Sequence, residues 1–213
     1  METERLIEVL GAHAEPVRPL APVSRRLLAW FVPAALAVAV VVAVVGARPD
    51  LIAKFAQPDF AIPQGAALAT AILAAFAALS AGLPDGRRWV LWLPLVPLTV
   101  WLGNLGHQCW WDWMRSGFTS LPFGPDYACI PGIALVGLVP AALMVAMLRR
   151  GAPFHRRATI MSGILAATAL ADFGLRLFHP VDAAAMVLVW QIGSVAVFTL
   201  LAGLLRFPRR GRF

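Results

Sequence analysis

Apolar residues along this chain gather into six long runs, parted by short polar or proline-bearing stretches. The runs are Leu27–Ala47, Gly65–Leu83, Trp89–Gly106, Ile130–Leu148, Thr159–Phe178 and Ala184–Leu205. Each is close to the ~20 residues a helix needs to cross the hydrocarbon core of a bilayer. Backbone groups in lipid must pair within their own segment, so the runs are expected to be helices. The pattern predicts an all-α fold: a polytopic membrane helical bundle with about six transmembrane helices.

The polar ends complete the organisation. Residues 1–26 form an N-terminal tail, 27–205 the transmembrane domain and 206–213 a basic tail. The N-terminal tail holds all four glutamates, Glu2, Glu4, Glu8 and Glu15. Within it Leu6, Ile7, Val9 and Leu10 have partly helical spacing. Pro16, Pro19 and Pro22 then break any continuous helix, so a short amphipathic helix followed by an extended linker is expected. Ser24-Arg25-Arg26-Leu27-Leu28 has the look of a twin-arginine export signal. The apolar run behind it is too long for a signal peptide and five more runs follow, so it reads as a retained first helix.

Charge fixes the expected topology. Fourteen of the 18 basic residues fall on one side when both termini are placed in the cytoplasm, and four (Arg48, Lys54, Arg115 and Arg176) on the other. Positive residues stay inside, so the chain is expected in the bacterial inner (cytoplasmic) membrane, multi-pass, with both termini cytoplasmic. Trp89 and Trp92 then mark an inner boundary, and Trp101, Trp110, Trp111 and Trp113 an outer one. The chain is 60% hydrophobic with only 14% charged residues, against about 25% charged in a soluble domain. The sequence pI of 11.2 does not signal direct nucleic-acid binding, because the arginines sit at span ends where topology and lipid phosphate account for them.

Candidate chemistry lies mainly on the outer side. Cys109 and Cys129 fall in one expected outer loop, 107–129. They would be exposed to an oxidising compartment, either as a structural disulfide worth about 3 kcal/mol or as a redox or metal sensor. His107, Cys109, Cys129 and His179 together offer two imidazoles and two thiols, a donor set suited to zinc or another soft metal, though their spacing is not diagnostic. Asp172 and Arg176 lie four apart on the fifth run with the acid first, the arrangement of a structural ion pair near the outer end. Gly163, Ala167 and Ala171 on that helix form a small-residue packing face. Asn104 and Gln191 read as interhelical hydrogen-bonding positions. No phosphate loop, Ser-His-Asp set or zinc-protease motif is present, and no catalytic residue or cofactor is expected. Two rival readings are a membrane thiol oxidoreductase using the outer-loop cysteines, which normally wants closely spaced redox pairs, and a small transporter, which wants polar groups at midplane.

The order of several short segments resembles the NrsF family of membrane anti-sigma factors, over nearly the whole chain. The matching stretches are Leu6-Ile7 through Pro16-Val17-Arg18-Pro19-Leu20, Gly46-Ala47-Arg48-Pro49-Asp50-Leu51, and Arg88-Trp89 with Pro94 and Pro97. They continue with Tyr127-Ala128-Cys129, Leu148-Arg149-Arg150-Gly151-Ala152-Pro153, and His179 followed by Val187-Leu188-Val189-Trp190. The resemblance implies a cytoplasmic sigma factor as partner, held at the inner membrane and released under oxidative or metal stress. It also implies signalling through outer cysteines, with Cys129 in the matching motif. The family pattern places a second cysteine after the last outer histidine, where this chain has Pro180. Leu6, Ile7, Val9 and Leu10 are the residues expected to dock the partner as a short helix in a groove.

Overall fold

The computed structural model describes residues 3–12, 20–82, 88–117, 129–151, 156–179 and 193. All regular structure among the described residues is helical. In chain order the helices are α1 (Thr3–Ala12), α2 (Val23–Val45), α3 (Leu51–Phe55), α4 (Pro58–Ser80), α5 (Leu95–Ser116), α6 (Cys129–Leu148) and α7 (Arg156–Phe178), with a 3₁₀ turn at Arg88–Trp92 before α5. The sixth apolar run and the basic tail lie outside the described residues, Gly193 apart. Four described stretches, Val23–Val45, Pro58–Ser80, Arg88–Arg115 and Arg156–Phe178, are long and apolar enough to cross a membrane.

Several boundaries differ from the apolar runs, each for a local reason. α2 begins at Val23 rather than Leu27, so Arg25 and Arg26 belong to its first turn. The expected outer loop 48–64 contains α3 and the first two turns of α4, because Pro58 takes the first helical position, where its missing N–H costs nothing. The expected outer loop 107–129 is helical as far as Ser116. No breaker interrupts His107–Arg115, and α5 ends only at Gly117, whose φ of +67° suits glycine.

α4 is the centre of the bundle, packing against α7, α5 and α2. Its buried surface is dominated by Ala66, Ala67, Ala71, Ala74, Ala75, Ala77 and Ala78. Side chains this small let neighbouring backbones approach closely, as membrane helices require. α7 does the same against two partners. A Cβ on Gly163 would stand 3.1 Å from Met144 and Leu148 of α6, and one on Gly174 would stand 2.6 Å from Val38 of α2 and 2.8 Å from Val136 of α6. The expected packing role of Gly163, Ala167 and Ala171 matches this face, with Gly174 as its tightest point.

α2 carries two stripes at four-residue spacing. Arg26, Trp30, Ala34 and Val38 face inward, whereas Leu28, Val32, Leu36, Val40 and Val44 are exposed. The Trp30 indole donates to the Pro140 carbonyl of α6 at 3.0 Å. The bundle as a whole buries Arg26, Arg48, Gln64, Thr70, Thr159, Asp172 and Arg176 while leaving many Leu, Val, Ile and Trp side chains outside. Polar groups inside and large apolar side chains outside is the distribution expected for a surface meeting lipid.

Candidate functional site

One end of the bundle gathers the residues with the most chemistry. α2 stops at Gly46, whose φ of +97° turns the chain sharply and whose N–H still reaches the Val42 carbonyl. The turn throws Arg48 back over the end of α7. Its backbone N–H donates to the Leu177 carbonyl at 3.0 Å and its Nη1 to the His179 carbonyl at 3.5 Å. The same guanidinium grips Asp50 with two bonds, Nε to Oδ1 at 2.7 Å and Nη2 to Oδ2 at 2.9 Å. Bidentate pairing of this kind fixes geometry as well as charge. The Arg48 hydrogen bond holds the Asp50 carboxyl below the usual carboxylate range, outweighing the opposing effect of desolvation.

Phe60, in the first turn of α4, is the platform beneath this clasp. The guanidinium of Arg48 lies 5.5 Å from its ring centroid and that of Arg176 lies 4.9 Å away. Phe55 of α3 meets the same ring edge-on at 5.3 Å. Cations attracted to a ring face in a desolvated site gain more than they would in water. Asp172 and Arg176, expected as an ion pair, sit one turn apart on α7 and are 2% and 4% exposed. Below them the Gln64 side chain donates to the Phe173 carbonyl at 3.1 Å, tying α4 to α7. Its Oε1 is buried without a hydrogen-bond partner.

The end of α5 forms a second group on the other flank of α4. Gln108 donates to the Asp59 carbonyl at 2.6 Å. The Trp111 indole donates to Nε2 of His107 at 2.8 Å. Arg115 stacks on Trp111 at 5.6 Å, and Trp110 meets Trp113 at 5.0 Å. Cys109 carries a free, half-buried thiol packed against the core.

The structure therefore brings Arg176 and the His179 main chain into one cluster, whereas His107 and Cys109, two residues apart on α5, differ in setting: His107 is exposed beside Trp111 and Cys109 packs against the core. The Cys129 side chain lies outside the described residues, so the thiol pair and the four-ligand set are not complete within them. Among the described residues no group of three or more His, Cys, Asp or Glu side chains could hold a metal ion. The residues expected to dock the partner lie on α1, where Glu4, Arg5 and Glu8 are exposed and Ile7 is 64% exposed. The side chains of Leu6, Val9 and Leu10 lie outside the described residues.

Arg48, Phe60, Gln64 and Gln108 did not stand out in the sequence, and Arg26 did so only in the twin-arginine look-alike at the head of the first run. Arg48 counts there only as an outer charge, although it falls inside the Gly46–Leu51 stretch of the family resemblance. The partners of Arg26, Gln64 and Gln108 are backbone carbonyls far away in sequence, which no residue pattern records.

The family model described as "NrsF: Negative regulator of sigma F" matches residues 10–210. No curated protein and no solved structure matches the chain.

Proposed function

The chain belongs to the NrsF family of negative regulators of a sigma factor, and we propose on that premise that it is a membrane anti-sigma factor. In this reading it holds a cytoplasmic sigma factor at the inner membrane and releases it on oxidative or metal stress. Six membrane helices and cytoplasmic termini put α1 and the basic turns on the side of the sigma factor. The Arg48 clasp, His107, Cys109, Cys129 and His179 then face outward. The family match over residues 10–210 carries this reading. The four membrane-length apolar stretches and the lipid-like exterior support its membrane half.

The docking residues are Leu6, Ile7, Val9 and Leu10 of α1. A ten-residue helix presenting an apolar face, with Glu4, Arg5 and Glu8 around it, fits the mode in which a short helix lies in a partner's groove. The exposed Ile7 side chain is free for such a contact. The regulator works by binding and carries out no reaction of its own.

Co-purification tests the reading. The full chain and a variant lacking residues 1–22 are expressed with a tag in the native host, solubilised gently and isolated. A sigma factor recovered with the full chain and lost from the truncated one is the expected result. A full chain that brings down no sigma factor, with crosslinking and without stress, overturns the proposal.

A further inference from the structure

Arg26 stands in the first turn of α2 and is only 7% exposed. Its Nη1 donates to the Leu79 carbonyl, in the last turn of α4, at 3.2 Å. Its Nη2 is buried and has no hydrogen-bond partner. A charged donor withdrawn from water without an acceptor is costly, and such groups are rare in folded proteins unless something fills the gap. Among the described residues, half of this guanidinium has no acceptor.

The start of α2 supplies the rest of an anion site. The helix begins at Val23, straight after Pro22, and no side chain caps it. Helix geometry leaves the N–H groups of Val23, Ser24 and Arg25 without acceptors in their own helix, and the positive end of the helix dipole lies at the same point. Ser24 and Arg25 are exposed there. Helical side chains lean toward the N-terminus, which carries the Arg26 guanidinium to this end. The last carbonyls of α4 are the negative end of that helix and take the Nη1 side. The acceptor that is missing is the one for Nη2, the half of the guanidinium not engaged by Leu79.

We propose that the rim where α2 begins binds one phosphate or phosphodiester group, held by Arg26, the first-turn N–H groups of α2 and the exposed Arg25. A tetrahedral phosphate offers oxygens to backbone N–H groups and to guanidinium N–H groups at once. Nη2 is covered in this structure, so binding is coupled to a small outward turn of the guanidinium. The group comes from an anionic lipid headgroup or from free phosphate. The site does not depend on the sigma-factor reading and stands if that reading fails.

The test uses the full chain purified in a maltoside detergent, which carries no phosphate. Its thermal midpoint is followed while phosphatidylglycerol, inorganic phosphate or diacylglycerol is added. A saturable rise with phosphatidylglycerol, absent with phosphate-free diacylglycerol, is expected, and Arg26→Gln should weaken the response about ten-fold or more. Ser24→Asp places a carboxylate over the same N–H groups and should abolish the response with Arg26 intact. It also carries the test if Arg26→Gln fails to fold. A response to phosphatidylglycerol alone assigns the site to lipid, and an equal response to inorganic phosphate assigns it to the free anion. Both support the site. No response in the unmodified chain, or a response that both substitutions leave unchanged, overturns it.

Discussion

Gln108 of α5 bonds to the carbonyl that Pro63 cannot reach. In a regular helix the N–H of residue 63 would donate to the carbonyl of Asp59, but proline has no N–H. The Gln108 amide takes that place at 2.6 Å, so the defect in α4 becomes an attachment point for α5. Gln108→Ala is expected to cost about 1 kcal/mol in a reversible unfolding measurement in detergent. In a Pro63→Ala background, where the backbone donor returns, the cost should shrink. Equal costs in the two backgrounds would show that the two residues are not coupled.

The glycines of the bundle divide into two kinds. Gly174→Ala drives a Cβ to within 2.6 Å of Val38 and 2.8 Å of Val136. It should destabilise by about 1–3 kcal/mol, the usual cost of overpacking a core. Gly103 on α5 has nothing within 4 Å of the same position, so Gly103→Ala should be neutral or stabilising by up to about 1 kcal/mol. Thermal midpoints of the two variants, compared in one detergent, check the contrast.

The Arg48–Asp50 clasp gives a pH signature. An acid held below its ordinary value in the folded chain contributes stability above the ordinary carboxylate range, near pH 4. That stability is lost as pH falls through the lowered value. The unmodified chain should therefore exceed Asp50→Asn in thermal midpoint by a constant margin from pH 7 down to about 4. The margin should then close on further acidification. A margin that is absent at neutral pH would remove the clasp from the account of stability.

Binding and folding should separate at α1. Ile7 is exposed in the free protein, so Ile7→Asp should leave stability within about 0.5 kcal/mol. If α1 is the docking element, the same change should reduce sigma-factor capture about ten-fold or more. A variant that keeps full capture would move the docking site elsewhere.

The proposed signalling role of Cys109 and Cys129 makes a separate prediction. Cys109→Ser and Cys129→Ser should each preserve sigma-factor capture in unstressed cells. Each should blunt release on treatment with an oxidant or a soft metal, read from a sigma-dependent reporter. Release that both variants perform normally would exclude the thiols as the trigger.

The sequence by itself determined the helical class, the main apolar spans and the small-residue face of α7. These follow from local rules: an apolar run of sufficient length must be a helix in lipid, and glycine or alanine at four-residue spacing must lie on one face. It also led to the expectation of a short helix within residues 1–26, and it set Asp172 and Arg176 one turn apart. Only the tertiary structure decided that Arg48 and Arg176 share the ring of Phe60, that Arg48 closes over the His179 carbonyl 131 residues away, and that Trp30 reaches Pro140 across 110 residues. Both hydrogen bonds end on backbone carbonyls. Every residue carries one, so its identity leaves no mark on the sequence, and the helix packing alone selects which are within reach.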